Sequence, residues 1–234
     1  MKKSILATIL ALMAVSAHAD TNSVLKVKGT LVAPSCEILM SNNGVLDFGT
    51  INTSNLSSTQ ATQLGEQNLT LTIDCPVATK VGWSISDNRT DTNASTGSGS
   101  TLMVQNATES GTALRGTLAT FGLGKTPDGK NIGAYSVFTS TSEVTANGSQ
   151  VEPIRTAVTA GAGMGRWQKA TGGNITNKDL GLMSVAKKGN TNPVAVTRVT
   201  FPLNIALAVE SLKKLKLTED TEFDGQATIS VVYL

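Results

Sequence analysis

Apolar and polar residues alternate with period two in short runs bounded by turn formers, and this pattern restricts the chain more than any other. Leu25-Lys26-Val27-Lys28-Gly29-Thr30-Leu31 alternates in this way. So does Leu69-Thr70-Leu71-Thr72-Ile73-Asp74-Cys75, where Pro76 is expected to end the strand. Further strands are expected over 45–48, 81–85, 118–123, 134–138, 151–158, 194–203 and 227–233. Asn, Gly, Ser and Pro separate them, and no helices alternate with them. The expected fold is therefore an all-β sandwich of antiparallel sheets. One short helix is expected over 208–216, where Ala208, Val209, Leu212 and Leu215 fall at helical spacing; the start of that run also reads as a strand. The tracts 86–116 and 161–181, rich in Ser, Thr, Asn and Gly, are expected to be enlarged loops.

The first residues point to export. Lys2 and Lys3 precede an apolar run over 5–15 and then Ala17-His18-Ala19, the layout of a secretory signal peptide over 1–19. Its apolar stretch is too short for a membrane span, and no later one is long enough. Removing 19 of the 234 residues leaves 215 as a single domain over 20–234, with 17 basic residues facing 17 acidic ones. That neutral balance lacks the electrostatic footprint of a nucleic-acid binder. The only histidine, His18, leaves with the leader, which removes Ser-His-Asp and Cys-His catalysis and His-ligated zinc. No catalytic residue, cofactor or metal is assigned, and the mature protein is expected not to be an enzyme. The two cysteines, Cys36 and Cys75, reach an oxidising compartment and are expected to pair.

Short motifs for chemistry dissolve on inspection. The segment 119–126 ends in Lys125-Thr126 like a phosphate loop, but Pro127-Asp128-Gly129 follows, which makes a hairpin turn rather than a helix. Ser86-Asp87-Asn88 and Ser184-Val185-Ala186-Lys187 stand in the wrong order for a serine β-lactamase. Asp87, Asp91 and Asn93 lack the glycine and glutamate of an EF-hand loop.

What remains joins the two ends of the chain to the cysteines. Val27-Lys28-Gly29-Thr30-Leu31-Val32 leads to Cys36, Val45-Leu46-Asp47-Phe48-Gly49 follows, Cys75 closes a strand, and Gln226-Ala227-Thr228-Ile229-Ser230-Val231-Val232-Tyr233-Leu234 alternates again. In order and spacing this resembles subunits of chaperone–usher fimbriae. Phe121-Gly122-Leu123-Gly124, Asn131-Ile132-Gly133-Ala134 and Val199-Thr200-Phe201-Pro202-Leu203 resemble most closely the GltF-like periplasmic and fimbrial-operon branch.

The resemblance implies an immunoglobulin-like, pilin-type sandwich lacking its last strand, in the periplasm or on the cell-surface fimbria of a Gram-negative bacterium, with a structural role in adhesion. Its partners would be a periplasmic fimbrial chaperone, an outer-membrane usher and neighbouring pilus subunits. A lent strand would pair with Ala227, Ile229, Val231 and Tyr233, and the chaperone would grip the carboxylate of Leu234. Leu25, Val27 and Leu31 are expected at the edge of the protein's own first strand, leaving only four polar residues, 20–23, as a free tail. Filling five pockets at period two takes about nine residues. The chain is thus expected to accept a strand but to donate poorly, as a terminal subunit would, or to be a self-contained periplasmic binding or regulatory protein. The family's glycine near the end is displaced, with Thr221 at its usual place and Gly225 nearby.

Overall fold

The structure is a computed structural model that describes residues 23–30, 35–97, 99–159 and 163–234. Contacts divide the chain into residues 1–33 and a compact unit over 34–234. The expected leader, 1–19, and Leu31 lie outside the described residues. Among the described residues no helix is long and apolar enough to cross a membrane.

The elements of the compact unit run β1 (Glu37–Met40), β2 (Thr62–Thr79), β3 (Val81–Asp87), β4 (Phe121–Gly122), β5 (Gly133–Thr139), β6 (Thr145–Ala146), β7 (Ser149–Gln150), β8 (Glu152–Thr159), β9 (Gly163–Met164), β10 (Gln168–Lys169), β11 (Gly181–Ala186), β12 (Val196–Val209), α1 (Leu212–Leu215) and β13 (Ala227–Tyr233). They form an all-β sandwich. One sheet has the order β1-β2-β12-β5-β4, with β6 and β7 attached beside β12. The other has the order β10-β8-β11-β3-β13, with β9 on β8. The named strands pair antiparallel throughout. β2 passes to β3 through Lys80 alone, so one ribbon links the two sheets.

Alternation explains the core between them. Leu69, Leu71 and Ile73 of β2, Trp83 and Ile85 of β3, and Val199, Phe201, Leu203, Ile205 and Leu207 of β12 are buried in one cluster. Trp83 and Phe201 meet edge to face with ring centroids 5.4 Å apart. Cys36 and Cys75 are bonded, bearing out their expected pairing. They extend the β1–β2 ladder one step beyond the Glu37–Asp74 pair. Closing a loop of 39 residues stabilises the fold by about 4 kcal/mol on the chain-entropy estimate.

Several expectations change, among them the strand expected over 45–48, where residues 45–52 form no regular element. Leu25 and Val27 are not in a first strand: residues 23–30 form no regular element, and the two side chains are 87% and 88% exposed. The place beside β2 belongs to β1, which the disulfide holds there. Alternation specifies a face, but only a neighbouring strand makes a sheet. The helix is one turn, α1, because Ala208 and Val209 remain in β12. Pro76 does not end its strand; β2 continues to Thr79 while its ladder with β12 shifts register between the Arg198–Asp74 and Val196–Thr79 pairs. A bulge there tolerates a residue without an amide hydrogen.

The tract 86–116 is also no open loop. Its Leu102, Val104 and Ala107 bury a second, smaller core against Ala134 of β5 and Ala206 and Ala208 of β12. Small side chains on the outer face of β12 let this covering chain approach closely. Gly122 of β4 shows how closely the tract comes to the sheet: a Cβ there would strike the carbonyl of Arg89. The turn expected after Lys125 is present, with the Thr126 amide donating to the Lys130 carbonyl at 2.8 Å.

Candidate functional site: an open seam beside the last strand

β13 is an edge strand of the second sheet. It pairs with β3 from Ala227 opposite Asp87 to Tyr233 opposite Val81. Among the described residues nothing pairs with its other edge. Its alternation is read out faithfully: Ala227, Ile229 and Val231 are half-buried against the core, while Thr228 and Ser230 are exposed.

Between this edge and β1 the core opens into a groove of about 540 Å³. Ile38 and Met40 of β1, with Leu46 and Phe48 after it, form one lip, and Phe223, Ala227 and Ile229 form the other. The floor is made of core side chains seen from the side, including Leu69, Ile85, Tyr135, Leu203 and Ile205. At one end Phe48 and Phe223 meet edge to face, centroids 6.4 Å apart. Beyond them a second cleft of about 600 Å³ continues the first, sharing Leu46, Phe48 and Phe223. Its lining adds Asp47, Glu219, Asp220 and Glu222 to Leu56, Leu64 and Leu217.

Two anchors hold the lips. The Cys36 amide donates to the Tyr233 hydroxyl at 2.7 Å, tying the start of β1 to the end of β13. At the far end Arg89 pairs with Asp224. The Asp224 amide donates to the Leu123 carbonyl at 3.0 Å. Gly225 lies flat on Tyr135, where a Cβ would come within 2.7 Å of the ring. This is the glycine that the groove uses.

Beneath the seam sits a buried polar knot. Asp87 accepts from the amides of Arg89 at 2.8 Å and Gly122 at 2.9 Å, and its own amide donates to Asn177 at 2.8 Å. Burial pushes its carboxyl above the ordinary range, against the pull of those amides. Burial, with Asp87 nearby, pushes the Tyr135 phenol upward as well. The Asp87 carboxylate thus closes its own turn at Arg89 and ties it to β4 at Gly122. Among the described residues no three His, Cys, Asp or Glu side chains converge as metal ligands would.

The arrangement offers main-chain hydrogen bonds along one strand edge beside an apolar trough, which is what an added β-strand needs. Of the residues expected to pair with such a strand, Ala227 and Ile229 line the trough, and Val231 packs against the core without lining it. Tyr233 is 49% exposed and acts as the clasp to Cys36. The Leu234 amide donates to the Lys80 carbonyl. The opposite lip, Ile38, Met40, Leu46, Phe48 and Phe223, was not among the expected site residues. A signal for it existed in composition, since two of only 5 phenylalanines meet at its mouth.

Residues 25–136 match the family described as "Protein of unknown function (DUF1120)". The chain is 35% identical over 230 residues to the Uncharacterized protein YhcF of Escherichia coli strain K12, covering 96% of this chain and 95% of that one. It is 31% identical over 231 residues to Protein GltF of the same strain, covering 92% and 89%. Identity at this level along nearly the whole length of both relatives makes the chain a member of this family, on the GltF-like branch.

Proposed function

We propose that the protein is an exported, non-catalytic, pilin-like subunit that is completed by a strand from another polypeptide. A periplasmic fimbrial chaperone supplies that strand first, and an outer-membrane usher then passes the subunit to its neighbours in a surface fimbria that serves adhesion. The observation that carries this reading is the groove beside β13: an apolar trough running along a strand edge that no described residue pairs with. An open edge next to exposed core is an aggregation hazard, which natural sheets otherwise cover or break. Filling the trough is worth the effort energetically, because each large aliphatic side chain seated there contributes about 1.5–3 kcal/mol. The disulfide and the layout of residues 1–19 fit an oxidising, extracytoplasmic location.

The test is production in the periplasm with and without a co-produced periplasmic fimbrial chaperone. The reading expects low solubility alone, a stable one-to-one complex with the chaperone, and loss of that complex on replacing Ile229 by Asp. A chain that is monomeric alone and melts at the same temperature with or without chaperone would instead be a self-contained periplasmic protein.

A further inference from the structure

The second sheet carries another cleft toward its opposite edge, away from β13. About 510 Å³ in volume, it is bordered by β8, β10 and β11 and by the segments around Leu118 and Ile175. Strand register explains how it arises. Gln168 of β10, Arg155 of β8, Met183 of β11 and Trp83 of β3 stand opposite one another in successive pairs. Residues opposite one another in a ladder share a face, and Met183 and Trp83 belong to the main core. Arg155 therefore extends the core-facing row toward the sheet edge, as a half-buried cation where an apolar side chain would be ordinary. The next row on that face is Ala157 opposite Gly181. These two small residues leave the space open, and Leu118 and Leu180 line it while remaining 52% and 38% exposed. Among the described residues the lining contains one charged side chain, Arg155, and no carboxylate. No ion pair among the described residues engages Arg155 either. An inward-facing cation is costly until it meets an opposite charge.

Independently of the strand-acceptor reading, we propose that this cleft binds a small amphiphilic carboxylate, an unbranched alkyl chain ending in one carboxylate group. Arg155 supplies the head-group contact, since a guanidinium fork matches a carboxylate with two parallel hydrogen bonds. Gln168, in the same row, places an amide beside it, and Asn174 lines the same cleft. One cation answers one negative charge, which favours a carboxylate over a phosphate dianion. The alkyl chain lies along the small Ala157–Gly181 row against Met183 and Ile175, with Leu118 and Leu180 flanking it. The outer edge of β8 is already taken by β9 and β10, so a β-strand would find no main-chain partners on β8. The volume lies within the range of small-molecule sites.

The test is calorimetric titration of the exported chain, or of its complex with a co-produced chaperone, with octanoate, decanoate and dodecanoate, and with decanol as the uncharged probe. Affinity should rise about fourfold with each added methylene. Decanol should bind roughly tenfold or more weakly than decanoate. Arg155→Gln should abolish that difference by weakening decanoate roughly tenfold or more, without lowering the melting temperature. Arg155→Lys should keep part of the difference, because the charge remains and the fork is lost. Ala157→Leu should fill the trough and remove binding of both probes. Ile229→Asp, in the seam beside β13, should leave binding unchanged. Decanoate held as tightly by Arg155→Gln as by wild type overturns the site. Binding that is lost on Ile229→Asp and kept in Ala157→Leu places the probe in the seam and overturns it too. Absence of saturable binding at millimolar decanoate does the same. None of these outcomes bears on the strand-acceptor reading, which chaperone capture tests.

Discussion

β12 and β13 are written in the same alphabet and end in opposite situations. β12 has β2 on one side and β5 on the other, and over residues 205–209 both of its faces are covered, by the main core and by the 86–116 tract. β13 has β3 on one side only, and its apolar side chains remain half-buried. The seam beside β13 is therefore lined with apolar residues without being closed over. A strand becomes core when its faces and its edges are both satisfied, and among the described residues one edge of β13 has no pairing strand.

The largest expected effect breaks or confirms this contrast directly. Phe201, fully buried against Trp83, sits in finished core, and Phe201→Ala should cost about 3–5 kcal/mol in urea unfolding whatever partner is present. Ile229→Asp, on the unfinished side, should cost the isolated chain far less, about 1 kcal/mol, because its side chain already meets solvent. Equal losses from the two substitutions would mean that the seam is as closed as the core, and the comparison would fail.

A second test addresses why β12 is covered on its outer face. Ala206 and Ala208 leave room there for Leu102 and Val104 to pack. Ala206→Leu should push that covering tract away and destabilise by about 1–3 kcal/mol, with protection from amide exchange lost first over 94–114. A neutral result would show that the tract merely rests on the sheet.

These regions also mark what could be read from the residues and what could not. The bounds of β13 follow directly from alternation between Gln226 and Leu234, because an edge strand with one wet face shows its period plainly. β12 is harder: with both faces buried, Ile205-Ala206-Leu207-Ala208-Val209 is apolar throughout, so helix and strand look alike. The tract 86–116 has loop composition, and its packing rests on a few small side chains matched to outward alanines far along the chain. β11 (Gly181–Ala186) is missed for a similar reason, since a glycine-rich neighbourhood masks a short buried run. The segment 24–30 shows the limit most sharply. Its alternation is as regular as that of β13, yet no pattern within it says whether the partner strand lies in the same chain. The groove lip escaped for the same reason, since Phe48 and Phe223 are 175 positions apart and only the fold brings them together.

The smallest expected effect concerns charge on the closed side. Asp74 of β2 receives Nε and Nη2 of Arg198 from β12 at 2.5 and 2.6 Å, and the guanidinium holds its carboxyl below the ordinary range. A carboxyl lowered by folding contributes stability that is present above its unfolded value and is lost as pH falls through its folded one. Asp87, raised by burial in the knot under the seam, has the opposite sign: its favourable contribution is present below the unfolded value and is lost as pH rises through the folded one. The two carboxyls thus tilt the acid limb in opposing directions, one from each side of the molecule. Asp74→Asn removes only the first. The variant should be slightly less stable than wild type at neutral pH, and the gap should close on acidification from about pH 4 downward. Melting curves taken across that range check it. The pair is largely exposed, so the neutral-pH deficit should be small and should shrink further in high salt. A gap that persists unchanged at low pH would mean that Asp74 acts through packing in the β2–β12 ladder rather than through its charge.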